Sequence, residues 1–161
     1  MVIVNVLGKS GSGKSSAIRY AIEELVKNGF TVEYNSQKYP NDPKKMISKI
    51  DEDFHTLKGY VSQITVVGKI KNTRICVTTY GDSFKYDINP ALNKGLSLLG
   101  SLDIFVCCSH GKGREALNQL KNANIEDLEK CGIEDSTEEC ISLDNRKFGK
   151  KVAQKVLDLC K

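Results

Sequence analysis

Residues 2–15 read VIVNVLGKSGSGKS, an apolar run that stops at a glycine-rich segment. The segment contains the pattern G-x-x-x-x-G-K-[ST], formed by Gly8, Gly13, Lys14 and Ser15. Glycines let successive backbone N–H groups curl around phosphate oxygens, because no Cβ stands in the way. The lysine brings positive charge to the β- and γ-phosphates, and the serine hydroxyl can ligate Mg²⁺. The stretch therefore predicts a site for a nucleoside triphosphate and its magnesium ion.

The residues on either side of the glycine-rich segment have the patterns of a strand and a helix. The apolar run before Gly8 predicts a strand, and the apolar residues between Ser15 and Asn28 recur at helical spacing up to a natural stop at Gly29. The amino end of such a helix carries partial positive charge and favours an anion. Strand, glycine-rich loop and helix in this order form the setting that the motif requires.

On this motif and its setting, the chain resembles the P-loop NTPase superfamily over about its N-terminal third. The resemblance implies that ATP and Mg²⁺ are bound, with Lys14 acting in catalysis and Ser15 as a metal ligand. GTP stays open as an alternative, although the guanine motif N-K-x-D is missing. The implied nucleotide-binding residues are Gly8, Lys9, Ser10, Gly11, Ser12, Gly13, Lys14, Ser15 and Ser16.

Lys9 adds a second, narrower resemblance. The string KSGSGKS over residues 9–15 is similar to the variant P-loop of Min-type ATPases and the nitrogenase iron protein. In that class a lysine at the position of Lys9 reaches the nucleotide of a partner subunit, which would imply a homodimer here. Ser10 departs from the glycine of that class, and Asn35 stands where the class usually has an acid. An exposed loop lysine is the other interpretation.

Length and charge suit one nucleotide-binding domain that covers residues 1–161. A chain of 161 residues is about one domain, and its formal charge of +4 suits an anionic ligand. Basic and aromatic residues do not interleave, so nucleic acid is not an expected partner. No apolar run is long enough for a membrane span and no signal peptide is visible, so we expect no membrane partner and a cytoplasmic location.

The six cysteines contain no C-x-x-C pair. We therefore expect small buried thiols in a reducing compartment rather than disulfides or a zinc site. The positions are Cys76, Cys107, Cys108, Cys131, Cys140 and Cys160.

Apolar runs alternate with helical patterns along the rest of the chain. They predict an α/β protein with a three-layer α/β/α P-loop NTPase fold and a mostly parallel sheet. A link of only Lys71, Asn72 and Thr73 separates two β-rich runs, which predicts an antiparallel hairpin that adds one strand. The strands are expected at residues 30–35, 63–70, 74–80, 103–109 and 140–143. The helices are expected from Asn41-Asp42-Pro43, from Asn89-Pro90, from the loop at 110–114 through about Leu120, from Ile125 to Cys131, and from a cap at Asp144.

A carboxylate for Mg²⁺ is expected at the end of a strand beside the first one. The run that ends in Gly81-Asp82 resembles the Walker B element of the superfamily, so Asp82 is the candidate metal ligand and a candidate catalytic residue. An ordinary Gly-Asp turn is the alternative. Asp103 begins its strand and should therefore lie at the opposite edge of the sheet.

His110, Lys112 and Arg114 follow the strand at 103–109, in a segment expected to be a mobile loop. Arg114 or Lys112 could stabilise charge on a transferred phosphoryl group, and His110 could contact a nucleotide or an acceptor. A polar loop that caps the next helix explains the same residues.

Three functions fit these residues. The first is a Mg²⁺-dependent nucleoside-triphosphate hydrolase, although Ser83 and not a glutamate follows Asp82. The second is a small-molecule or nucleotide kinase, whose acceptor is unknown and would bind near residues 42–59 or at His110. The chain has only four arginines for such a role, and 111–114 is short for a lid. The third is a nucleotide-dependent interaction module with little turnover and a protein partner.

Overall fold

The computed structural model describes residues 1–36, 63–81, 83–133 and 137–161. Within these ranges the strands are β1 Val2–Leu7, β2 Thr31–Asn35, β3 Thr65–Ile70, β4 Thr73–Thr78, β5 Ile104–Ser109 and β6 Asn124–Glu129. The α-helices are α1 Lys14–Lys27, α2 Asn89–Leu99, α3 Gly111–Leu117 and α4 Glu138–Leu159, and a π-helical turn, Phe84–Ile88, leads into α2.

The six described strands form one sheet in the order β2-β3-β4-β5-β1-β6. β1 pairs in parallel with β5 and β6, and β4 pairs in parallel with β5. β3 runs antiparallel to both β2 and β4, so it is the one reversed strand among those described. The α/β class and a mostly parallel sheet with an added hairpin strand are confirmed. The hairpin turn is shorter than expected, because Thr73 already belongs to β4.

Apolar side chains cover both faces of the sheet. On one face, Ile18 and Leu25 of α1 and Val152 of α4 belong to a core cluster that includes Val4 and Val6 of β1. On the other face, the α2 and α3 side chains pack with alternate residues of the same strands in a second cluster, represented by Leu92, Leu117, Ile3 and Phe105. Helices thus lie on both faces, an arrangement compatible with a three-layer fold.

The expected helix from Ile125 to Cys131 is wrong, because the chain forms strand β6 at this point. Ile125 and Leu128 are three residues apart, which imitates helical spacing. β6 pairs only with β1 among the described strands, so it lies at one edge of the described sheet. Such an edge strand tolerates charged residues that a central strand would exclude, which removes the usual apolar signal.

The expected strand at 140–143 and the cap at Asp144 are also wrong. α4 begins at Glu138, and the Thr137 side chain caps it by accepting a hydrogen bond from the Cys140 amide at 3.3 Å. Glu138 and Glu139 lie in the first turn, where negative charge stabilises a helix. Asp144 therefore lies inside the helix.

The loop expected at 111–114 is the first turn of α3. His110 precedes this turn in an extended conformation, and its carbonyl accepts the Arg114 amide at 2.9 Å. Gly111 and Gly113 have low helix propensity, so the sequence pattern favoured a loop. The alternative of a polar loop that caps the next helix is also wrong, because these residues belong to the helix and the His110 side chain makes no capping hydrogen bond. The expected helix from Asn41-Asp42-Pro43 lies outside the described residues.

No described helix combines the length and the apolar composition that crossing a bilayer requires.

Candidate functional site

The glycine-rich segment lies at the edge of the sheet where the parallel strands end. The Gly8 amide donates to the Ser109 carbonyl at 3.2 Å, and the Lys130 amide donates to the Leu7 carbonyl at 2.8 Å. These two bonds fix the exit of the segment between the ends of β5 and β6. Ligands of open α/β sheets bind at this edge.

Lys14 lies at the centre of the curled segment. Its Nζ donates to the carbonyl oxygens of Gly8 at 3.0 Å and Lys9 at 2.7 Å, and the residue is only 8% exposed. Gly13 precedes it in the left-handed conformation, with φ of 83°, and caps the start of α1. The ammonium group is therefore held by backbone carbonyls at the amino end of a helix.

Ser12 has a buried hydroxyl without a hydrogen-bond partner among the described residues. Its amide donates to the Lys9 carbonyl at 3.3 Å, which closes the turn, and its Oγ lies near Gly8, where a Cβ would come within 2.7 Å. A buried hydroxyl without a partner costs about 1–3 kcal/mol. A ligand oxygen inside the segment would remove that cost.

Ser15 links the segment to the end of β4. Its Oγ donates to the Thr79 carbonyl at 3.1 Å. β5 lies between β1 and β4, so the expectation that the strand before Asp82 is next to β1 is wrong. The hydrogen bond from Ser15 nevertheless connects the glycine-rich segment with the residue that follows β4. Asp82 follows Thr79 by three positions but lies outside the described residues, so its metal role stays a prediction.

The residues after β6 and the first part of α4 pack against the same segment. Asn145 is 5% exposed, and a Cβ on Gly13 would lie 2.2 Å from its Oδ1. The buried Lys130 forms an ion pair with Asp144, and its Nζ lies 5.3 Å from the centre of the Phe148 ring. Sequence reasoning missed Asn145 and Lys130, because nothing in their local pattern distinguishes them from surface residues.

Arg114 is held on the α2–α3 face of the sheet. Its Nε donates to Asp127 at 2.6 Å and its Nη1 to Asn118 at 2.7 Å. The other oxygen of Asp127 accepts from the buried Asn5 at 2.7 Å, and Asn5 accepts from the Ser109 hydroxyl at 2.9 Å. The Arg114 guanidinium is therefore paired with a carboxylate of β6. Lys14 opens α1, which packs on the opposite face.

A cleft of about 350 Å³ opens at the carboxyl ends of β2 and β4. It is lined by Tyr34, Ser36, Thr65, Tyr80, Tyr86, Asp87, Pro90, Ala91 and Lys94. The Lys94 Nζ lies 4.5 Å from the centre of the Tyr34 ring. The Asp87 carboxylate accepts the Ser83 amide at 2.7 Å. Neither the cleft nor its three tyrosines were recognised from the sequence.

Asp103 lies at the amino end of β5, at the edge opposite to Lys14. It accepts hydrogen bonds from the Arg74 amide and from the Arg74 guanidinium, both at 2.9 Å. The guanidinium bond is the main reason that the pKa of the Asp103 carboxyl falls from 3.8 to about 2. This carboxylate belongs to a structural ion pair.

The six cysteines are free. Cys76, Cys107 and Cys108 are buried as expected, and burial raises the pKa of Cys76 to about 12. Cys131 and Cys140 are exposed, so the expectation of buried thiols is wrong for them. Within the described ranges, no group of three or more histidine, cysteine or acidic side chains could hold a metal ion.

Comparison with protein-family models, with curated proteins and with solved structures finds no match to this chain.

Proposed function

We propose that the protein is a Mg²⁺-dependent nucleoside triphosphatase with a P-loop NTPase fold and binds ATP in residues 8–16. The observation that carries this proposal is the position of the Lys14 ammonium, buried inside the curled segment and bonded to the carbonyls of Gly8 and Lys9. A buried ammonium at a helix amino end, at the ligand-binding edge of a parallel sheet, suits a polyanion.

The same segment offers the other groups that a polyphosphate needs. The first turn of α1 has amide N–H groups without carbonyl partners inside the helix, as any helix does. The Ser12 hydroxyl is buried next to Gly8 and can donate to a phosphate oxygen. Lys14 would exchange its two carbonyl partners for oxygens of the β- and γ-phosphates.

Ser15 fits the metal ion that such a phosphate chain carries. Its hydroxyl hydrogen points to the Thr79 carbonyl, which leaves its oxygen lone pairs available as a ligand. Bound Mg²⁺ would neutralise charge that develops on the transferred phosphoryl group. Asp82 is the proposed carboxylate partner on sequence grounds. The reaction is attack of water on the γ-phosphate, with catalysis mainly by positioning and electrostatics.

A kinase is the second candidate, and the tyrosine-lined cleft is the observation that favours it. Tyr80 lines this cleft and directly follows Thr79, whose carbonyl holds Ser15. A small acceptor in the cleft would therefore lie beside the proposed phosphate site. Arg114 is paired with Asp127, so we assign the stabilising charge to Lys14 rather than to Arg114.

The test measures binding of Mg²⁺-ATP and Mg²⁺-GTP by calorimetry and release of free phosphate. Lys14→Ala should weaken ATP binding by about 100-fold, because charge-assisted bonds to phosphate are lost. Lys150→Ala removes an exposed lysine on α4 and should bind normally. Unchanged affinity in Lys14→Ala would contradict the proposal.

Turnover then separates the three functions. Phosphate release without an acceptor supports the hydrolase, and ADP formation that requires an acceptor supports the kinase. Binding without turnover would reject both enzymes and leave the interaction module.

A further inference from the structure

We propose that the cleft between β2, β4 and α2 binds a small molecule that combines a planar ring with an anionic group. We name it the tyrosine cleft, after Tyr34, Tyr80 and Tyr86 in its lining. The binding itself is independent of the proposed function. The relation of the ligand to a phosphate site rests on the proposed function.

The aromatic walls select for a planar ring. Tyr34 and Tyr80 are half-buried in the cleft, and Tyr86 is 73% exposed at its rim. Pro90 and Ala91 of α2 add apolar surface. Aromatic faces stack with flat rings, while the tyrosine hydroxyls stay available to polar substituents. The exposed ring of Tyr86 can therefore stack on a ligand that enters from solvent.

Lys94 selects for negative charge. Its Nζ is held over the Tyr34 ring, at 4.5 Å from the ring centre, and so it lies at the wall of the cleft. It makes no ion pair with a carboxylate in the part of the chain that the structure describes. Asp87 also lines the cleft, where its carboxylate accepts the Ser83 amide at 2.7 Å, and no ion pair joins it to Lys94. An anionic group beside Lys94 would therefore meet a cation that lies over an aromatic face and forms no ion pair with a described carboxylate.

The size and part of the lining of the cleft suit a compact ligand. Its volume of about 350 Å³ is at the lower end of the range for small-molecule sites. Ser36 and Thr65 line the cleft, and the Ser36 amide donates to the Thr65 carbonyl and the Thr65 amide to the Ser36 hydroxyl, both at 2.9 Å. These bonds fix the end of β2 against the start of β3, so this part of the lining is held by the sheet.

Gly81 fixes the wall nearest to the glycine-rich segment. A Cβ on Gly81 would lie 1.9 Å from the Cys108 carbonyl oxygen, so the backbone here is in close contact with β5. Tyr80 is therefore anchored between this contact and Thr79, which holds the Ser15 hydroxyl. A ligand in the cleft would lie next to residues that proposed nucleotide binding uses.

The test is ligand-observed saturation-transfer NMR on the whole protein without nucleotide. The probes are matched pairs of a ring-bearing anion and its neutral counterpart: phenyl phosphate with phenol, benzoate with benzamide, and the four common nucleoside monophosphates with their nucleosides. We expect at least one anion to bind and its neutral partner to bind about tenfold more weakly.

Variants locate the signal in the cleft. Lys94→Met should weaken binding of the anion about tenfold, and Tyr86→Leu should weaken it several-fold. Tyr86 is mostly exposed, so its replacement leaves the fold intact. Lys150→Met is the matched control and should bind normally.

Lys14→Ala separates this proposal from the proposed nucleotide site, because an anion in the cleft should bind that variant unchanged. The proposal is overturned if no probe binds, if neutral partners bind equally well, if the anion binds Lys94→Met as tightly as the parent protein, or if binding is lost in Lys14→Ala. Loss of ATP binding alone would not affect it.

Discussion

Asn145 and Gly13 show how a single residue far along the chain shapes the candidate site. The amide group of Asn145 fills the space where a Gly13 side chain would begin, and Gly13 itself has φ of 83°. Two independent constraints, space and backbone conformation, thus act on one glycine. Gly11 has a similar φ of 78°, but a Cβ added there would meet nothing within 4 Å, so only the second constraint acts on it.

We therefore expect Gly13→Ala to lower the free energy of unfolding by about 2–4 kcal/mol and Gly11→Ala by about 1–2 kcal/mol. Urea unfolding followed by circular dichroism measures both. Adding Asn145→Ala to Gly13→Ala should restore the part of the lost unfolding free energy that comes from the clash between the new Cβ and the Asn145 side chain. Equal losses in the two single variants would show that the Asn145 contact does not matter.

At the scale of elements, α1 and α4 approach closely at Gly149. A Cβ on Gly149 would lie 2.6 Å from both the Ala17 carbonyl oxygen and the Tyr20 Cβ. α1 begins with Lys14, so the distance between these two helices determines how α1 is placed above the sheet.

Gly149→Ala should lower the free energy of unfolding by about 1–3 kcal/mol, because the helices must separate. Gly111→Ala is the control: it is also a helical glycine, has open space around it, and should stabilise α3 by up to about 1 kcal/mol. Thermal unfolding distinguishes the two. If Gly149→Ala left the free energy of unfolding unchanged, α1 and α4 would be able to move apart without loss of stability.

The amino edge of the sheet has its own pH response through Asp103 on the approach to β5 and Arg74 of β4. The pKa of Asp103 is about 2 in the folded chain and near 3.8 when unpaired. Between these values the folded state binds fewer protons than the unfolded state, so stability falls as the pH falls.

The contribution of Asp103 should therefore be complete above about pH 4 and lost as the pH falls to about 2. Unfolding free energies measured across this range should decline less steeply in Asp103→Asn than in the parent protein. Identical slopes would contradict the effect of the ion pair on the carboxyl pKa.

At the scale of the whole molecule, the reactivity of the six free cysteines shows whether the protein is folded. Cys131 and Cys140 are exposed, Cys160 is half-buried, and the other three lie in the core. Thiolate is the reactive form, and burial raises the pKa of both Cys76 and Cys107.

A thiol reagent at about pH 8 should react quickly with the two exposed cysteines, more slowly with Cys160, and with the remaining three only after unfolding. With a disulfide reagent that releases a coloured thiol, the absorbance gives the number of cysteines that have reacted at each time. Replacing Cys131 and Cys140 by serine should remove the fast phase. Rapid reaction of all six in native buffer would contradict the buried positions.

The parts of the fold that could be predicted are those that a short, continuous stretch of sequence determines. The apolar run before Gly8, the helical spacing after Ser15 and the short link at Lys71 each specify a local structure, and each was found. β6 could not be predicted, because an edge strand lacks continuous apolar character. The start of α3 was misplaced, since its packing, with Leu117 fully buried, outweighs the low helix propensity of Gly111 and Gly113 in its first turn.

The candidate site follows the same division. Gly13, Lys14 and Ser15 were assigned from their motif, and the structure gives them a shared location at the sheet edge. The contacts of Asn145 and Lys130 with the segment join residues more than 100 positions apart, and no local pattern encodes them. Likewise, the partner of Arg114 is Asp127 on β6, a strand that sequence reasoning had interpreted as a helix.

The two carbonyl bonds of Lys14 have a consequence for discrimination among anions. Any anion that enters the segment must compete with the oxygens of Gly8 and Lys9 for the same ammonium hydrogens. A singly charged ion such as chloride gains little by this exchange, whereas several adjacent phosphate oxygens can replace both partners at once. The Lys14 amine should therefore keep its bonds to the Gly8 and Lys9 carbonyls in ordinary salt and release them only to an anion with several adjacent charged oxygens.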